Sequence, residues 1–387
     1  MTGAFKRSDI SELALRPTIK QVLDLVGKPG SREAIPTPAA VIELSALRHN
    51  LESAAEICRS AGVAVRPHAK THKSGDLAHL QLEAGAVGVC VAKVGEAEAL
   101  FGAGVDNVLV TSPIVSASTA SRACELADAG AQITVVVDHL DGVAALAAAT
   151  VHLSTDIAVL IDIDVGLHRT GAPSPEQALQ IAQAIDRTPG IALQGVQGYG
   201  GHWQHITAPE DRRSSVAQGM EHLLAAIDAL DRHGFDTRIR TGGGTGTLDA
   251  DLALGVLTEL QPGSYVVMDR QYGAVHGEWI QSLCQALFVV STVTKATESA
   301  WLTVDAGLKA FATDAGVPGS DVGSYAWFGD EQGILVTDRS DRPALGARID
   351  LTPPHCDPTI DHYDVLHVVD GDVLVDLWPV HARGRSQ

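Results

Sequence analysis

Between residues 38 and 285, short β-branched or apolar runs alternate with alanine- and leucine-rich stretches, and that alternation leaves few folds open. The candidate strands are Ala39–Glu43, Ala64–Pro67, Gly88–Val91, Asn107–Thr111, Gln132–Val137, Ala158–Asp164, Leu193–Gln197, Arg238–Thr241 and Ser264–Met268, with helices between them. The stretch from Ser45 to Gly62 shows the helix rules: Ser45 is placed to cap the first turn, Leu47, Leu51, Ala54, Ala55 and Cys58 recur at helical spacing, and Gly62 ends it. Eight or nine such units imply a closed parallel (β/α)8 barrel of the TIM type, which takes about 250 residues. Chemistry in a barrel gathers where strands give way to helices.

After about residue 285 the pattern changes to strands with turns: Ala286–Thr294, Ala300–Asp305, Gly333–Thr337, Asp364–Val369 and Asp372–Trp378. The segment 367–374 reads as a hairpin turning at Asp370-Gly371. At 387 residues the chain exceeds what one core usually holds. The expected organisation is therefore α/β: an N-terminal extension over 1–37 packed on the β domain, the barrel over 38–285, and an all-β domain over 286–387.

A formal charge of −19 argues against nucleic acid and anionic membrane surfaces as partners and favours a small-molecule substrate. The five cysteines, Cys58, Cys90, Cys124, Cys284 and Cys356, are odd in number and lack CxxC spacing, which fits a reducing cytoplasm. Lys6, Arg7, Asp9, Glu12 and Arg16 leave no apolar core for a signal peptide, and no apolar run has the length of a membrane span.

Four polar constellations fall at strand ends or in the second domain. Arg66-Pro67-His68-Ala69-Lys70-Thr71-His72-Lys73-Ser74 sets Lys70 among cations and imidazoles, which would ease loss of its proton and suit it to a Schiff base with pyridoxal phosphate; alone, the run also fits a solvated basic loop. Thr241-Gly242-Gly243-Gly244-Thr245-Gly246-Thr247 precedes a helical stretch and reads as a phosphate cradle or a flexible turn, with Gln261-Pro262-Gly263-Ser264-Tyr265 adding amides and hydroxyls. Arg169 offers a guanidinium to a phenolate or carboxylate, Tyr199 can line a cofactor ring, and His205 can move protons. In Pro354-His355-Cys356-Asp357-Pro358-Thr359, His355 and Asp357 would face one way in an extended segment and share a divalent ion, with Cys356 turned elsewhere.

Together these blocks resemble the D-threonine aldolase and D-serine dehydratase group of pyridoxal phosphate enzymes, whose fold is like that of alanine racemase. The resemblance runs from about Thr37 to Arg383. It is carried by the Lys70 and glycine-loop motifs and by Gly88-Val89-Cys90-Val91-Ala92-Lys93-Val94-Gly95-Glu96-Ala97-Glu98, Asp305-Ala306-Gly307-Leu308-Lys309, His355-Cys356-Asp357-Pro358-Thr359 and Trp378-Pro379-Val380-His381-Ala382-Arg383-Gly384. It implies that Lys70 carries the cofactor, that Arg169 and Tyr199 lie against its ring, that Thr241, Gly243, Gly244, Thr245, Gly263, Ser264 and Tyr265 hold its phosphate, and that His205 is the catalytic base. Asp357, where dehydratases of the group place a zinc-binding cysteine, points to the aldolase branch, and Ala92 stands where some relatives have glutamine.

The activity so implied is retro-aldol cleavage of a β-hydroxy-D-amino acid to glycine and an aldehyde, assisted by manganese, magnesium or zinc on His355 and Asp357. Because the metal domain follows the barrel in the chain, the site is expected between subunits of a head-to-tail homodimer. The competing readings are a D-serine or 3-hydroxyaspartate dehydratase, a pyridoxal phosphate carrier without turnover, and a metal hydrolase barrel in which Lys70 is structural.

Overall fold

The computed structural model describes residues 17–153, 156–296, 300–337 and 342–387; the charged N-terminal residues weighed against a signal peptide lie outside them. A barrel of eight parallel strands forms from β2 (Ala64–Val65), β3 (Val89–Val91), β4 (Asn107–Val110), β5 (Gln132–Val137), β6 (Ile157–Asp162), β7 (Ile191–Gly198), β8 (Ile239–Gly242) and β9 (Glu259–Leu260). They run in the order β2-β9-β8-β7-β6-β5-β4-β3, and the ring closes where the Val87 amide donates to the Val65 carbonyl (2.9 Å) and the Cys90 amide to that of Pro67 (2.8 Å).

The two-residue period of the strands builds this wall. Cys90, Leu109, Val136 and Leu160 point inward and form one buried cluster, while their neighbours Val89, Val91, Val108, Val110, Val135, Val137, Val159 and Ile161 pack outward on the helices. At Gly195 a side chain is excluded, because its Cβ would lie 1.9 Å from the Ile239 carbonyl oxygen where β7 meets β8.

Two of the nine strands expected for the barrel lie elsewhere. β1 (Ala39–Glu43) pairs antiparallel with β10 (Leu287–Lys295) and parallel with β15 (Val365–Asp370), so it belongs to the second sheet. Its alternation explains the placement: Ala39 and Val41 pack with Val22, Ile35, Val290 and Val369, while Ala40 and Ile42 face the barrel's cluster. Residues 264–266, expected to be extended, form a turn of 3-10 helix, and the eighth strand is the short β9 just before them.

The second sheet has the order β12 (Ser324–Trp327), β13 (Gly333–Val336), β11 (Trp301–Val304), β10, β1, β15, β16 (Val373–Pro379), with β14 (Arg348–Leu351) also paired to β10. The β15–β16 hairpin turns at Gly371 (φ 61°) and Asp372, one residue later than expected. Val22, Ile35 and their neighbours cover this sheet. No described helix is long and apolar enough to cross a membrane.

The chain after β9 runs beside the chain after β14 and is hydrogen-bonded to it: Arg270 N to Pro353 O (3.0 Å), Gln271 N to Pro354 O (3.3 Å), and Cys356 N to the Asp269 carboxylate (2.8 Å). This seam brings the His355–Asp357 segment to the mouth of the barrel.

Where β4 and β9 begin, the Arg66 guanidinium bonds Glu259 Oε1 (2.9 Å), both largely shielded from water, and the half-buried Asn107 Oδ1 (2.6 Å). Arg66→Met should cost about 3–5 kcal/mol by stranding a buried carboxylate. Adding Glu259→Gln should recover part of that loss. Urea midpoints of the two variants check both statements.

Candidate active site

Lys70 lies on a one-turn 3-10 helix (Ala69–Thr71) where β2 gives way to the first barrel helix, and its amine reaches the carboxylate of Asp357 in the other domain. The expected crowding by positive charge is absent. Arg66 is paired with Glu259, and Lys73 is paired with Asp361 (2.8 Å) and Glu96 (3.6 Å). The two imidazoles are buried and held neutral: desolvation pulls His68 well below its usual range and His72 down to about 4. Burial also pulls Lys70 down, but the charge and hydrogen bond of Asp357, with Tyr199 nearby, outweigh it and hold the amine protonated. The lysine is therefore poised by a counterion and not by repulsion.

Asp357 is the complement of that lysine. Burial raises its carboxyl, yet Lys70 and then His355 hold it well below the usual carboxylate range. Ser264 Oγ and Cys356 Sγ both donate to its Oδ1 at 3.3 Å. The local geometry differs from the expected extended segment: His355 is the N-cap of a short helix, Cys356–Ile360, and Asp357 stands in its first turn. His355 Nδ1 is 2.7 Å from Asp314 Oδ2, the kind of contact that orients a metal-binding imidazole. Lys70 and Asp357 meet within one chain.

His205 faces the same mouth. Its ring packs against Tyr272 (centroids 4.6 Å apart), and its Nδ1 is buried without a hydrogen-bond partner. Burial, then the charge of His355, lower its pKa against an opposing pull from Asp357, leaving an imidazole able to accept a proton at neutral pH. Arg169 is exposed at the end of β6 with its guanidinium 5.4 Å from the centre of the Tyr199 ring.

The glycine loop after β8 and the turn after β9 stand beside these groups, but not every residue expected of them faces the mouth. Gly263 lies so close to Lys70's own turn that a Cβ would meet Thr71 Oγ1 at 2.5 Å. Thr245 Oγ1 accepts from the Tyr265 amide (3.0 Å), joining the two loops. Thr241 is fully buried and its hydroxyl accepts from Gln261 inside the barrel, while the Tyr265 hydroxyl turns away to Gln81 (3.4 Å). Both hydroxyls are thus engaged within the scaffold.

Several participants carry no motif. A buried polar layer closes the top of the barrel: Gln197 donates to Asp162 Oδ1 (2.9 Å) and to the Thr111 carbonyl (3.0 Å), Thr170 donates to Asp162 Oδ2 (2.8 Å), and His68 Nε2 meets Thr111 Oγ1 (3.1 Å). Burial raises Asp162 to about 6. Behind the glycine loop, Gln204, Thr247 and Asp251 form a second buried network.

This donor set fits pyridoxal phosphate: a lysine amine at the mouth, an arginine-backed tyrosine ring, and glycine backbone on the strand-to-helix side where barrels bind phosphate. His355 and Asp357 bring an imidazole and a carboxylate to the same mouth, bonded here to Asp314 and Lys70. No cluster of three or more histidine, cysteine or carboxylate groups suited to an ion occurs among the described residues.

Residues 42–271 match the family described as "Alanine racemase, N-terminal domain", and residues 286–369 match the "Putative serine dehydratase domain". The chain is 35% identical over 377 residues to a 3-hydroxy-D-aspartate aldolase of Paracoccus denitrificans (strain Pd 1222), covering 94% of this chain and 96% of the relative. The crystal structure of D-threonine aldolase from Filomicrobium marinum superposes with a TM-score of 0.88 at 34% identity, over 92% of this chain and 97% of that one. A D-threo-3-hydroxyaspartate dehydratase of Delftia sp. (strain HT23) is 28% identical over 88% of this chain and 96% of its own. The chain belongs to the D-threonine aldolase and D-serine dehydratase-like family of pyridoxal phosphate enzymes with the alanine racemase-like fold, on the branch of the aldolases, which are carbon–carbon lyases.

Proposed function

We propose that this member of the family cleaves a β-hydroxy-D-amino acid of the D-threonine type to glycine and an aldehyde, with pyridoxal phosphate and a divalent metal (manganese, magnesium or zinc) as cofactors. The observation that carries this reading is the meeting of Lys70 with Asp357, two residues beyond His355, at the mouth of one barrel. The bound cofactor supplies an electron sink for cleavage at the α-carbon, and the metal supplies a Lewis acid for the β-hydroxyl.

The protein's own groups have distinct tasks. Lys70 would hold the cofactor's aldehyde through its amine, with the Asp357 carboxylate beside it. Arg169 and Tyr199 wall the ring, and the backbone of Gly243, Gly244, Thr245, Gly263 and Ser264 holds the phosphate. His355 and Asp357 are the metal donors, with Asp314 fixing the imidazole's orientation. His205 takes the β-hydroxyl proton on its imidazole, which burial keeps neutral at pH 7. A carboxylate beside His355, where dehydratases of the group are expected to have cysteine, favours carbon–carbon cleavage over loss of water. The reading extends to a head-to-tail homodimer with the active site at the subunit interface, and to the cytoplasm as the compartment.

Incubation with D-threonine or 3-hydroxy-D-aspartate should yield glycine with the matching aldehyde, stop on chelation and resume with added manganese. Keto acid with ammonia would assign the dehydratase reaction instead. His205→Asn should lower kcat by about 10²- to 10⁴-fold while the cofactor's absorbance persists. Because the folded protein lowers the His205 pKa, its base form persists below pH 6.5, so the acid limb of kcat/KM should lie below that value. A pH–rate profile checks this.

A further inference from the structure

Gln204 sits between two parts of the site that are otherwise separate in sequence, and it is almost completely buried, at 1% exposure. Its Oε1 accepts from the Gly246 amide (2.9 Å), and its Nε2 donates to Thr247 Oγ1 (3.1 Å) and to the Gly200 carbonyl (3.4 Å). The Gly246 amide can only donate, so the orientation of the carboxamide is fixed by its partners. Thr247 passes the chain on: its hydroxyl is 2.6 Å from Asp251 Oδ2 and accepts from the Gly244 amide at 3.2 Å. Asp251 Oδ1 is buried without a partner.

The packing is as tight as the hydrogen bonding. A Cβ on Gly244 would stand 2.4 Å from Gln204 Oε1, and one on Gly246 would stand 1.9 Å from the Gln204 carbonyl oxygen. Gly246 is thus required by its contact with the Gln204 backbone, and a side chain at Gly244 would displace the Gln204 carboxamide, whatever the loop binds. On the other side, Gln204 ends the turn Gly201–Trp203, whose Trp203 is wedged so closely that a Cβ on Gly200 or Gly219 would meet its ring at 2.1 or 2.0 Å. That turn cannot yield independently. His205 follows directly, with an unpartnered Nδ1, so its pose depends on the Tyr272 ring and on the backbone at Gln204.

We propose that Gln204 is a positioning residue that couples the glycine loop to His205, so that a phosphate monoester seated on the loop sets the pose of the base. This rests on the cofactor reading above. A loop drawn toward an anion moves the Gly244 and Gly246 amides, those amides are bonded to Thr247 and Gln204, and the rigid turn conveys the shift to the next residue. Cofactor binding and readiness of the base then become one event, with no direct contact between phosphate and imidazole.

The test uses the full chain with ¹⁵N-labelled glycine and histidine, titrated with inorganic phosphate and, in parallel, with pyridoxal phosphate; His205→Asn identifies the imidazole signals. The wild type should show the loop amides and the His205 ring shifting with one half-saturation point, and the titration midpoint of His205 moving on phosphate addition. In Gln204→Met the amides should still respond while the ring response and midpoint shift are lost. Thr247→Val, which keeps its volume and removes the Gly244–Thr247–Gln204 branch while leaving the Gly246–Gln204 bond, should show a weakened ring response and serves if Gln204→Met does not fold. A loop that responds while wild-type His205 does not, or variants that transmit as fully as wild type, overturns the coupling and leaves the cofactor reading standing. Loop amides silent to both titrants overturn the phosphate cradle and the coupling with it.

Discussion

The contact between Lys70 and Asp357 is the interaction on which the rest of this structure depends. A protonated, half-exposed amine from the barrel meets a buried, ionised carboxylate from the β domain, and each favours the other's charged form. Removing Lys70 leaves the buried Asp357 carboxylate without compensation, which is costlier than losing a surface bridge. The surrounding structure holds the pair from both sides. Asp269 fixes the Cys356 amide, Lys73 bonds Asp361 one turn further on, and the backbone of 270–271 runs along 353–354.

Around that pair the mouth is arranged by burial. His68 and His72 are deprived of water and stay neutral, so the basic run of the sequence delivers one available cation to the site and not five. His205 is neutral for the same reason and has an unpartnered ring nitrogen, which is what a proton acceptor needs. The polar layer of Asp162, Gln197, Thr170 and Thr111 gives the barrel a hydrogen-bonded lid beneath these groups, so that their floor is rigid.

Much of this was legible in the residue pattern, and the failures have physical causes. Alternation announced β1 as a strand, but partner choice is a tertiary matter, and the two faces of β1 satisfy two different cores. β9 escaped notice because two residues carry no period, and residues 264–266 have β-forming side chains in a turn that tertiary contacts impose. Lys70, Arg169, Tyr199, His205, His355 and Asp357 stood in motifs and do face one mouth. The hydroxyls of Thr241 and Tyr265 bond Gln261 and Gln81, partners that nothing local in the sequence marks. Gln204, Asp269 and Asp314 are single polar residues whose partners lie 42, 87 and 41 positions away, Asp251 bonds Thr247 one helical turn back, and nothing local marks them.

The measurement that bears most directly on the whole account is where a pyridoxal phosphate adduct forms. Borohydride reduction of the protein saturated with pyridoxal phosphate, followed by proteolysis and mass analysis, should leave the reduced pyridoxyl group on the peptide containing Lys70 and on no other. An unmodified Lys70, or an adduct carried mainly by a surface lysine such as Lys309, would contradict the assignment of this mouth as a cofactor site.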